Sequence, residues 1–143
     1  MRIAEVMTRE VRIASPDETL RQAASMMAAI DAGSLPVGDN GRLVGMITDR
    51  DIAIRGIGQG LGPDSPIREV MSKDVKYCFE DDDLEDVSKN MGEIQVRRLP
   101  VLDHDKKLVG IVSLGDLAME HDAIAGRALS EISEPGGQHT QAV

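Results

Sequence analysis

The chain repeats itself. Ile3, Val6, Met7, Thr8 and Val11 return 64 residues later as Ile67, Val70, Met71, Ser72 and Val75. Leu20, Met27 and Leu35-Pro36-Val37 return at the same offset as Leu84, Met91 and Leu99-Pro100-Val101. One extra residue in Asp103-His104-Asp105-Lys106-Lys107 lengthens the offset to 65, and LVGMITDRD (43–51) reappears as LVGIVSLGD (108–116). Self-similarity at a fixed period marks a duplicated structural unit. A unit of roughly sixty residues buries too little surface to stand comfortably alone. Two units are therefore expected to pack their sheets together about an approximate two-fold axis, leaving a cleft of the kind small ligands occupy.

Each copy follows one plan. A short strand (Val11–Ala14, Val75–Phe79) leads to a helix whose apolar positions 20, 23, 24, 27 and 30 have helical spacing, matched by Leu84, Val87, Met91 and Ile94. Thr19 and Asp83 are expected as N-caps, with Gln22 completing a capping box in the first copy. Strands Leu35–Val37 and Leu43–Ile47 follow, joined by Gly38-Asp39-Asn40-Gly41. Second helices should begin at Asp49 and Leu114. The expected organisation is repeat one at 1–58, a Gly- and Pro-rich linker at 59–66, repeat two at 67–124, and an extension at 125–143 with disorder at its end.

Composition excludes several classes. A net charge of -9 argues against general nucleic-acid binding, which needs cations to displace counterions from phosphate. Aromatic residues are 1% of the chain, so base-stacking platforms are nearly absent. The apolar runs are too short to span a membrane, and MRIAEVMTRE lacks an apolar signal core. With Cys78 alone, no internal disulfide can form; a cytoplasmic location is expected. His104, His121 and His139 lack metal-ligand spacing, and EDDDLED (80–86) lacks the glycine and final glutamate of a calcium loop. No nucleophile–base set is present, so neither a catalytic residue, a metal site nor a required cofactor is expected.

The repeated phrase has two readings. Thr48-x-x-Asp51 and Ser113-x-x-Asp116 match a helix-capping pattern. The same residues put a hydroxyl and a carboxylate at a strand end, where the carboxylate can accept hydrogen bonds from a vicinal diol. Capping does not explain why the whole phrase recurs in phase with Leu-Pro-Val; a repeated binding site and simple structural duplication both do.

The ordered set V-M-[TS], helix, L-P-V and G-h-h-[ST]-x-x-D, present twice over residues 1–120, resembles a tandem cystathionine-β-synthase (CBS) domain pair. The resemblance implies an α+β fold of two pseudo-symmetric repeats with small packed sheets and flanking helices, often assembled as a homodimer. It implies a nonenzymatic regulatory module that binds adenosine-containing molecules (AMP, ADP, ATP, NAD or S-adenosylmethionine) and signals through dimer shape or an unidentified regulated protein. Thr48, Asp51, Ser113 and Asp116 would then face ribose. Arg97 and Arg98, ahead of the second Leu-Pro-Val, would hold phosphate beside Thr48 and Asp51, although a solvated rim is the alternative for both. Ser34, ahead of the first, would join Ser113 and Asp116, while Met46 and Ile111 would line adenine slots. Arg50 and Arg55 fit a solvated helix face equally well, and Cys78 reads as a buried thiol. Apolar surface at Ile52, Ile54, Leu117 and Met119 is expected to support the dimer. The competing readings are a ligand-free dimerisation module and a nucleotide-hydrolysing enzyme.

Overall fold

In the computed structural model, which describes residues 1–120 and Ile132, the chain divides into two units that cut across its sequence repeats. Among the described residues, one unit is Arg12–Val75; the other joins Met1–Val11 to the chain from Lys76 to Glu120. The leading Ile-x-x-Val-Met segment of each repeat therefore lies with the body of the other repeat.

In the first-repeat unit, Thr19 starts helix α1 (Leu20–Ile30) with the expected capping box. Thr19 Oγ1 accepts from the Gln22 N–H at 3.1 Å, and Gln22 Oε1 accepts from the Thr19 N–H at 2.8 Å. Leu20, Ala23 and Met27 are buried, but Ala24 and Ile30 are exposed, so the apolar face is narrower than its spacing predicts. Strands β1 (Ser34–Asp39) and β2 (Arg42–Thr48) form an antiparallel hairpin. Its turn residues, Asn40 at φ 54° and Gly41 at φ 79°, occupy the left-handed region required by a two-residue hairpin. The chain then enters helix α2 (Asp49–Asp51), a π-helical turn (Ile52–Gly56) and a 3₁₀ turn (Ile57–Gln59). The core gathers Ala14, Leu20, Leu35, Val37, Ile47 and Ile67. The Gly- and Pro-rich stretch is tied down: the Ser65 and Pro63 carbonyls accept from the Leu20 and Arg21 N–H groups, both at 3.0 Å, satisfying otherwise orphaned donors of α1.

The second-repeat unit has a three-stranded sheet in the order β3 (Cys78–Phe79), β4 (Arg98–Leu102), β5 (Leu108–Ser113), with helix α3 (Leu84–Ile94) before the hairpin and α4 (Leu114–Glu120) after it. Asp83 occupies the N-cap position without a side-chain cap bond; its carboxylate lies 3.8 Å from the N-terminal ammonium. The Leu84 N–H donates instead to the Met1 carbonyl at 2.9 Å. Both expected leading strands are shorter than predicted. The first shrinks to Ala14, bridged to Val37, and the second to Cys78–Phe79, because the chain passes between units at Val11–Arg12 and Val75–Lys76.

Leu117 is buried, and α3 packs against α4, which corrects its expected place on an exposed apolar surface. Ile54 is exposed, Ile52 is half-buried, and the Met119 side chain lies outside the described residues. The expected disorder at the chain's end likewise lies outside them.

The geometry accounts for the phase between Val-Met-[Thr/Ser] and Leu-Val-Gly. Thr8 and Ile111 exchange backbone hydrogen bonds of 2.8 and 2.9 Å; Ser72 and Met46 do the same at 2.8 and 2.9 Å. A Cβ on Gly110 would lie 2.7 Å from Met7 Sδ and 2.8 Å from the Thr8 carbonyl oxygen. On Gly45 it would lie 2.8 Å from both Met71 Sδ and the Ser72 carbonyl oxygen. Each hairpin also shifts register at the same place, between Val37 and Gly38 and between Val101 and Leu102, leaving Val44 and Val109 as bulge residues.

Candidate functional site

At the end of β2, buried Thr48 caps α2: its Oγ1 accepts from the Asp51 N–H at 3.0 Å, and Asp51 Oδ2 accepts from the Thr48 N–H at 3.1 Å. The second repeat builds the same box. Ser113 Oγ accepts from the Asp116 N–H at 3.2 Å, and Asp116 Oδ2 accepts from the Ser113 N–H at 2.9 Å. The capping reading of both phrases is thus realised. It engages one carboxylate oxygen per turn and leaves the other for a different partner.

The residue ahead of Leu-Pro-Val stands directly across the hairpin from the capping hydroxyl residue. Ser34 pairs with Thr48, and Arg98 pairs with Ser113. One position earlier, backbone carbonyls brace each turn: Gly33 accepts from the Asp49 N–H at 2.9 Å, and Arg97 from the Leu114 N–H at 3.0 Å. Thr48, Asp51, Ser34 and Met46 therefore share the first-repeat unit, whereas Arg97, Arg98, Ser113, Asp116 and Ile111 share the second. Met46 is buried between its neighbours Pro36 and Ser72; Ile111 is half-buried between Pro100 and Thr8.

Two local features escape sequence reasoning. Asp51 Oδ1 is paired with Arg55 Nη2 at 3.0 Å, so both Asp51 oxygens are engaged. Beside the Thr48 turn, a cavity of about 390 Å³ is lined by Met27, Ala28, Asp31, Gly33, Asp49 and Ile52 among others. A Cβ on Gly33 would sit 3.1 Å from Asp49 Oδ2. The signal for this arrangement was a coupled departure from the repeat, since Arg97 and Leu114 stand where the first copy has Gly33 and Asp49.

Away from these turns, His104 Nε2 lies 2.7 Å from Asp81 Oδ2, and its ring stacks on Phe79 at 5.2 Å. That hydrogen bond and the Asp81 charge raise the His104 pKa, while the same hydrogen bond lowers that of Asp81. Burial, with Asp82 adding to it, pushes the Cys78 thiol up to about 12. Among the described residues no group of three or more His, Cys, Asp or Glu could hold a metal, and no helix is long and apolar enough to cross a membrane.

A model of the CBS domain matches residues 3–56 and again residues 67–121. The chain belongs to the CBS domain family, as a tandem pair. It is 44% identical over 133 residues to the CBS domain-containing protein YhcV of Bacillus subtilis, covering 92% of this chain and 94% of that one. The crystal structure of Hypoxic Response Protein I with two coordinated zinc ions superposes with a TM-score of 0.76 at 37% identity, covering 84% of this chain and 98% of that one. The structure of CBSX2 in complex with AMP superposes with a TM-score of 0.74 at 25% identity, covering 86% and 97% respectively.

Proposed function

We propose that this CBS pair is a nonenzymatic regulatory module that binds an adenosine-containing small molecule through its two hydroxyl–acid turns. The observation that carries the reading is the duplicated box at the ends of β2 and β5, where each carboxylate is fixed through Oδ2 and its second oxygen, held at Asp51 by an exchangeable Arg55 contact, can accept from a ribose hydroxyl. Arg98, across the hairpin from Ser113, is suited to phosphate. The AMP complex of CBSX2 supports the ligand class. The assignment of Arg97 and Arg98 to the same nucleotide as Thr48 and Asp51, of Ser34 to that of Ser113 and Asp116, and of Met46 and Ile111 to adenine rests on the family resemblance. Binding is read out through a homodimer or a regulated partner in the cytoplasm.

Melting curves with AMP, ATP, NAD and GMP at equal concentration test the reading. A ligand that binds only the folded state raises the melting temperature. The adenosine compounds should raise it and GMP should raise it less. No shift with any adenosine compound would favour a ligand-free dimerisation module.

A further inference from the structure

The two turns are alike in their caps and differ in what the second carboxylate oxygen meets. Asp51 Oδ1 is held by Arg55, with the aspartate side chain 12% exposed and the arginine side chain 47% exposed. Arg55 stands four residues on, inside the π-helical turn Ile52–Gly56. Such turns are rare and recur at functional sites. Four residues beyond Asp116 the sequence has Glu120, which cannot make this pair. Among the described residues, the hydrogen bonds of the Asp116 carboxylate are confined to Oδ2.

Resting on the proposed nucleotide reading, we infer that Arg55 is a selectivity residue: it biases the Asp51 turn toward phosphorylated adenosine compounds and against neutral ones. A ribose hydroxyl that takes Asp51 Oδ1 must displace the guanidinium. With a neutral nucleoside, the freed guanidinium exchanges a carboxylate for water. A phosphorylated ligand supplies a second anion whose oxygens a guanidinium matches in bidentate fashion. The exchange then costs little. Among the described residues the Asp116 carboxylate meets no such competitor.

The test uses the full chain carrying Asp116→Asn, which neutralises the second acid while keeping an oxygen able to cap its helix. Calorimetric titration with adenosine and with AMP is then repeated after adding Arg55→Met or, separately, Arg55→Gln. Adenosine should bind about two- to fivefold more tightly, the range expected for releasing a half-exposed ion pair. AMP should not gain, so the AMP-to-adenosine affinity ratio should fall by at least that factor. An arginine that only supported its helix would leave the ratio unchanged, and that result overturns the inference. The nucleotide reading is checked separately by Asp51→Asn. If Asp51→Asn weakens both ligands while the Arg55 variants leave the ratio unmoved, the inference alone fails. If Asp51→Asn changes neither affinity, the assignment of this turn fails and the inference falls with it.

Discussion

Gly110→Ala should loosen the second-repeat unit by driving the N-terminal segment off its sheet. The added methyl would lie 2.7 Å from Met7 Sδ and 2.8 Å from the Thr8 carbonyl oxygen. The flexible thioether can swing away, but the carbonyl belongs to the Thr8–Ile111 bridge and cannot move without breaking it. Overpacking of this kind costs about 1–3 kcal/mol. Loss of the bridge would also expose Ile3 and Met7, both buried in the native chain. Gly62→Ala is the control, since nothing lies within 4 Å of its added Cβ; its stability should change by less than about 1 kcal/mol. Equilibrium urea unfolding gives the comparison, and limited proteolysis shows whether residues 1–11 become cleavable. If Gly110→Ala unfolds with the wild-type midpoint, the close approach does not constrain this glycine, and the explanation for the phased motifs is wrong.

Thr48→Ala removes a buried cap acceptor and should cost about 0.5–2 kcal/mol by urea unfolding. The His104–Asp81 pair should be pH-sensitive. The raised His104 pKa gives stability present below its ordinary value of 6.5 and lost as pH rises through the folded value. The lowered Asp81 pKa gives stability present above its ordinary value of 3.8 and lost as pH falls through the folded value. Wild type should therefore exceed His104→Gln most near pH 5, with the gap closing by pH 9; a gap independent of pH would contradict the pairing. Cys78, buried with a thiol pKa raised to about 12, should react with a disulfide reagent at neutral pH only as fast as the protein opens. Rapid labelling of the native chain would refute that burial.

The hairpins and α1 were legible because their signals are local. Thr19 with Gln22 specifies one helix start, and Asn40-Gly41 specifies one two-residue turn. The extra residue of the second copy falls where expected, in the loop between Leu102 and Leu108. The exchange of leading segments was not legible. Met7 is compatible with either hairpin, because Gly45 and Gly110 offer equivalent notches, and only the path of the chain decides between them. The hydroxyl–acid turns were legible as a pattern, and so was a difference between the copies at Ser34 and Arg98; the pairing of Asp51 with Arg55 was not. Arg55 looked like any solvated helix residue until the π-turn and the 3.0 Å contact tied it to Asp51. Leu117 is buried where exposure is expected for a related reason: helical spacing identifies an apolar face without saying which neighbour covers it.

If Asp51 and Asp116 hold the ribose of an adenosine compound, as proposed, the Asp51→Asn/Asp116→Asn double variant should lose that ligand. Asparagine retains a side-chain oxygen for each cap, so the helices should still start, while the charge that strengthens a hydrogen bond to a ribose hydroxyl is gone. Charge-assisted hydrogen bonds are worth about 1.5–3 kcal/mol, so AMP and adenosine should each lose about ten- to a hundredfold in affinity by calorimetric titration. A folded double variant that binds AMP as tightly as the wild type would show that neither carboxylate holds the ribose.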